Sequence, residues 1–226
     1  MKSQKKMKNI FADKATLVIR KMICNPAKRW VVRDFVEPQG VSLGMAQEVI
    51  ETMARQGYVE RIKRGPDSCT ILTNQERLIN DWLIKYQFEL NEADTYYSPE
   101  EDILKKMKVN LNEDKYALTL HSGANLVTHF VITDHVYFYL DTQTWDKDVL
   151  EIRQKLGLKE LVKGGNIHII RPYYRSSVFF NSQKIKGYRV VSNLQLYLDL
   201  HHFRPRGKEH AEYLKGILKE KGKPLD

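Results

Sequence analysis

Apolar residues in the first ninety positions recur at helical spacing in several places, and each run is bounded by residues that stop or cap a helix. Ala15, Val18, Ile19, Met22 and Ile23 mark one stripe within Asp13 to Cys24, and Asn25-Pro26 ends it because proline cannot continue a helix. Trp30 to Phe35 reads as a short second helix, with Val32, Phe35 and Val36 apolar and Pro38 and Gly40 behind it. Ala46, Val49, Ile50 and Met53 then fall at i, i+3, i+4 and i+7 behind Ser42, a good N-cap, and Gly57 stands where a left-handed closing residue belongs. Tyr58 to Ile62 alternates apolar with charged, Gly65-Pro66-Asp67 is a turn signal, and Cys69 to Leu72 returns as a second strand. Glu76 to Phe88 resumes a helical stripe through Leu78, Ile79, Trp82, Leu83 and Tyr86.

Helix, helix, turn, capped helix and hairpin is the order of a winged helix-turn-helix, which we expect over residues 9–90. The polar stretch Asn91 to Pro99 reads as a linker. Residues 95–226 are expected to form a second, mixed α+β domain, so the chain as a whole is α+β. Within it, Pro99 to Met107, Tyr116 to Phe130, Asp148 to Leu161, Ser192 to Leu200 and Gly207 to Lys219 read as helices. His135 to Leu140, Ile167 to Ile170, Ser177 to Phe180 and Gly187 to Val191 read as strands.

Charge narrows the partner. The formal net charge is +9, of which +6 falls in residues 1–90 and +3 in the remainder. This points to a polyanion, first of all nucleic acid. The basic start MKSQKKMKN is followed by no apolar run and no stretch of 18 apolar residues occurs, so neither a secretory signal nor a membrane span is expected. The two cysteines, Cys24 and Cys69, form no CxxC pair, which fits a reducing, cytoplasmic setting.

In a helix-turn-helix the third helix offers its N-terminal residues to base edges, while cations around it hold phosphates. With the apolar stripe turned inward, Ser42, Gly44, Met45, Gln47 and Glu48 face outward. Gln47 can bond adenine twice, and Glu48 can accept from cytosine N4. Lys63 and Arg64 in the wing, with Lys28, Arg29 and Arg33 around the second helix, are the candidate phosphate contacts. A solvated basic surface is the plain alternative.

Catalytic patterns are poor: the chain contains no HExxH, GxSxG, GxxxxGK[ST] or GxGxxG. No catalytic residue, cofactor or metal is expected. His201-His202 and His210 invite a metal reading but lack i, i+4 spacing, so surface or capping histidines are expected there. Asp134, Asp141 and Glu151 evoke a metal-dependent nuclease centre without its tight acidic pair. Tyr173-Tyr174-Arg175 with Phe179-Phe180 mixes aromatic and basic residues as a stacking surface would, although core packing is the commoner cause. The corner Arg204-Pro205-Arg206-Gly207 precedes Glu209, and its arginines could pair with Asp199.

The run Val190-Val191-Ser192-Asn193-Leu194-Gln195-Leu196-Tyr197-Leu198-Asp199-Leu200, followed by Pro205-Arg206-Gly207-Lys208-Glu209 and Ala211 to Leu214, resembles the closing motif of the AbiEi antitoxin family. Leu120-His121-Ser122-Gly123-Ala124 resembles that family's segment near the start of its C-terminal domain. His201-His202-Phe203 departs from the pattern. The resemblance implies a transcriptional regulator of a type IV toxin-antitoxin system that represses a two-gene operon by binding its operator, double-stranded DNA. It also implies that the C-terminal domain counters a nucleotidyltransferase toxin without a stable complex. Two other readings stay open: a metal-dependent nuclease targeted by the winged helix, and a ligand-sensing repressor. Operator sequence and oligomeric state are not encoded legibly.

Overall fold

The computed structural model describes residues 9–37, 40–223 and 225. The basic start of the chain and Pro38, used above as a helix stop, lie outside these. The chain is mixed α+β and divides into two compact units, one ending at Tyr86 and one running from Gln87 to Leu225. Among the described residues no helix is long and apolar enough to cross a membrane.

In the first unit, α1 (Asp13–Cys24) buries Val18, Ile19, Met22 and Ile23, the stripe its spacing announces. α2 (Leu43–Arg55) starts where the Ser42 hydroxyl accepts from the Met45 amide at 3.2 Å. It closes before Gly57, whose φ of +76° suits glycine. A hairpin of β1 (Val59–Ile62) and β2 (Cys69–Leu72) follows, then α3 (Gln75–Lys85), with Trp82 fully buried. The expected second helix is only a 3₁₀ turn, Val32–Phe35. Trp30 cannot join it because its backbone pairs with Thr70 in both directions, at 2.9 and 2.8 Å, extending the hairpin by one bridge. Its indole stacks on Phe35 at 4.8 Å, which ties that turn to the hairpin.

The second unit is built on one six-stranded sheet in the order β3-β6-β5-β4-β8-β7. The strands are β3 (Glu92–Tyr96), β4 (Tyr116–Leu118), β5 (Val136–Leu140), β6 (Ile167–Arg171), β7 (Gln183–Ile185) and β8 (Tyr188–Val190). β5 and β6 are parallel, as are β4 and β8; the other neighbours are antiparallel. Helices α4 (Ile103–Asn110) and α6 (Trp145–Leu156) pack together, and Ile152 of α6 shares a hollow with Tyr116 and Leu140 of the sheet. Tyr139, on the opposite face of β5 from Leu140, meets the layer of α5 (Leu120–Thr128), α7 (Asn193–His201) and α8 (Gly207–Glu220).

Three sequence expectations need correction here, and one strand is not expected at all. Asn91 to Pro99 is not a linker, since it carries the edge strand β3, paired from Glu92–Arg171 to Tyr96–Ile167. Tyr116 to Leu118 is strand rather than helix, and the helix begins only at Leu120. Ser177 to Phe180 is a turn, not a strand. The polar β7 is a strand that no apolar pattern announces.

Candidate functional site

The first turn of α2 stands clear of its unit's core. Ser42 and Gly44 are exposed, Met45, Gln47 and Glu48 are half-buried, and Ala46, Val49, Ile50 and Met53 are buried on the other side. Arg33 of the 3₁₀ turn, Gly44 and Gln47 of α2 and Ser68 beside the hairpin tip line one shallow depression of about 570 Å³, with Val31, Val32 and Leu43. Sequence spacing does not reveal Val31, Leu43 or Ser68 as part of this surface, because only the fold brings them to it. Ser68 holds the tip in shape: its hydroxyl donates to Gly65 O at 2.7 Å and accepts from the Arg64 amide at 3.1 Å.

The candidate residues are not equally available. The Gln47 amide donates to Glu51 Oε1 at 2.7 Å, and Glu51 faces Arg61 of β1 at 3.9 Å, so the α2 face and the hairpin are joined by polar contacts. One amide hydrogen and the carbonyl oxygen of Gln47 remain for a ligand. Lys28 is paired with Asp34 at 3.4 Å and lies 4.2 Å over the Trp30 ring. Arg29, Arg33, Lys63 and Arg64 are exposed, and no side-chain ion pair engages them among the described residues.

In the second unit the residues carrying the family resemblance converge on the α5, α7 and α8 layer. Asp199 is fully buried and accepts from Thr119 at 2.5 Å, from Tyr139 at 3.1 Å and from the Gln195 amide at 2.7 Å. Gln195 and Asp199 therefore fasten α7 to β5 and to the start of α5. Arg204 and Arg206 do not pair with Asp199 as expected: Arg206 is 3.1 Å from Glu209 and 4.9 Å over Phe130. Gly123 and Gly207 mark close approaches. A Cβ on Gly123 would lie 2.9 Å from Leu118 O and from Leu196, and one on Gly207 would collide with Leu200 O.

His210 is not a surface residue; it is completely buried, and so nearly is His121. Their Nδ1 atoms are 2.8 Å apart, His121 Nε2 is 3.2 Å from Pro205 O, and His210 Nε2 is 2.7 Å from Thr128 Oγ1, which is itself 2.9 Å from Ala124 O. Each of these four links requires a hydrogen, whereas two neutral imidazoles and one hydroxyl carry three. Completing the chain requires one more proton. Burial opposes that proton, with help from Arg206: it lowers both histidines, His210 to about 4. A second pair, His135 and His168, is joined at 2.9 Å, with Tyr137 stacked on His168 at 4.2 Å; burial and then His135 lower His168 to about 4.

The model of the AbiEi antitoxin family, transcriptional regulators of type IV toxin-antitoxin systems, matches residues 71–220, about two thirds of the chain. These features define a two-unit α+β regulator with an ordered, polar-fastened C-terminal unit. The chain belongs to the AbiEi antitoxin family. The match begins at Ile71, so α1, α2 and β1 precede it. No curated protein and no solved structure matches the chain significantly.

Proposed function

We propose that the first unit is a winged helix-turn-helix that binds operator DNA, with α2 in the major groove and the β1-β2 hairpin as its wing on the adjacent backbone. The observation that carries this reading is the depression joining Arg33, Gly44, Gln47 and Ser68, with Lys63 and Arg64 exposed on the same hairpin. A helix start that offers Ser42 and Gln47 among exposed apolar side chains, beside uncommitted cations, suits a base edge flanked by phosphates. The regulator represses its own two-gene operon from the cytoplasm. Its C-terminal unit counters a nucleotidyltransferase toxin without a lasting complex, and the chain performs no catalysis itself.

Binding to duplex DNA across a salt series tests this. Lys63→Ala with Arg64→Ala is expected to weaken binding similarly on operator and random DNA, and to lower the slope of log K against log salt by roughly 0.9 for each phosphate that these two side chains neutralise. An unchanged slope would remove the hairpin from the interface.

A further inference from the structure

β5 and β6 are adjacent and parallel, and α6 connects them, so their carboxyl ends open on one side of the sheet beside the first turn of that helix. Crevices at the carboxyl ends of parallel strands collect ligands because the loops leaving the strands diverge there. Here the crevice is a cleft of about 230 Å³ lined by Asp141, Gln143, Trp145, Arg171, Arg175 and Phe179. A second hollow of about 220 Å³, also lined by Arg171 and Arg175, continues it toward Tyr173.

The side chains sort into two chemistries. Trp145 is fixed: its indole N–H donates to Asp94 at 3.0 Å, and the Arg171 guanidinium lies 4.6 Å over its ring. Arg171 is also held by Glu92 at 3.5 Å. Phe179 is held edge-on to Tyr139 at 6.5 Å, with Arg189 over it at 4.9 Å. These are rigid aromatic surfaces. Arg175, in contrast, is exposed and has no ion pair or hydrogen bond among the described residues. Asp141 and Gln143 line the cleft from the segment between β5 and α6, the first an acceptor and the second both donor and acceptor. Asp146 and Asp148 occupy the first turn of α6, so an anion would find its charge partner at Arg175 rather than at the helix end.

We propose that this cleft binds a 5′-phosphorylated nucleotide. The base lies against the Trp145 and Phe179 surface with its amino or imino hydrogens toward Asp141 and Gln143, and the phosphate meets Arg175. A bare phosphate would leave the aromatic surface and Asp141 unused, and an unphosphorylated nucleoside would leave Arg175 unused. Free nucleotides and the phosphorylated end of an RNA strand share this chemistry.

Calorimetric titration of the full chain with the four nucleoside 5′-monophosphates, the matching nucleosides, inorganic phosphate and a 5′-phosphorylated tetraribonucleotide tests the assignment. At least one monophosphate or the tetranucleotide is expected to bind at one site per chain. The nucleoside and inorganic phosphate should each bind at least tenfold more weakly, and preference between the two phosphorylated probes tells a free nucleotide from a strand end. Arg175→Ala, a change on the surface, should weaken binding at least tenfold, and Asp141→Asn should shift the preference among bases. No binding at millimolar concentration, equal affinity for phosphate, or undiminished binding by Arg175→Ala would overturn the proposal. Duplex DNA binding by the same Arg175→Ala protein is expected to be unchanged, so failure of the cleft and failure of the α2 interface are read separately.

Discussion

Asp199 shows how one residue can organise a domain. Its carboxylate gathers hydroxyl hydrogens from Thr119 and Tyr139 and an amide hydrogen from Gln195, all out of water. Asp199→Ala would strand these donors, each at about 1–3 kcal/mol. Urea unfolding of the second unit should therefore show a destabilisation of about 3 kcal/mol or more, whereas one under 1 kcal/mol would mean that the network contributes little. The buried histidines carry a pH prediction. Their folded pKa is depressed, so the unfolded chain binds more protons between the two values. The stability they contribute is complete above about pH 6.5 and is lost as pH falls toward about 4. For fully buried His210, against His121, Arg206 and Thr128, that loss approaches about 3 kcal/mol. His210→Gln should flatten the decline between pH 6.5 and 4; an equally steep curve would place the sensitivity elsewhere. Gln47→Ala should relax preference at one base pair, worth about 1–3 kcal/mol for a two-bond contact. Equal weakening on random DNA would exclude Gln47 from base reading.

At the scale of elements, legibility follows the environment of each segment. α2 is a half-buried helix with one apolar stripe, so spacing locates it; α1 is buried nearly all round, Thr16 and Arg20 included, and spacing marks only its apolar positions, while the caps Ser42 and Ser192 mark two helix starts. β4 is buried on both faces, so Tyr116-Ala117-Leu118 shows no alternation and merges with the helix after it. β3 and β7 are edge strands with polar residues, and each imitates a loop. Trp30 reads as helix from its neighbours because what fixes it, the Thr70 backbone, is forty residues away. The candidate interface divides in the same way. Its cations are visible as charge, but the engagement of Lys28 by Asp34 and the contribution of Val31 and Ser68 arise from tertiary packing. Trp30→Ala would remove both the Phe35 stack and the packing beneath the hairpin. A destabilisation of about 3–5 kcal/mol is expected from thermal unfolding of the first unit.

For the whole molecule, the division after Tyr86 implies two cores that unfold on their own terms. Fragments 1–86 and 87–226 should each give a cooperative melt, and the first should retain salt-dependent DNA binding; an unfolded first fragment would contradict this. The sheet of the second unit has margins unsuited to recruiting another chain. On one side β3 presents Glu92 and Asp94, and on the other β7 is only three residues long. Unpaired backbone at a sheet boundary is a template for polymerisation unless charge or brevity spoils it. Charge at one margin and brevity at the other therefore close this sheet against amyloid-like growth at both ends. Whatever meets this unit must approach it through side chains rather than by lengthening its sheet.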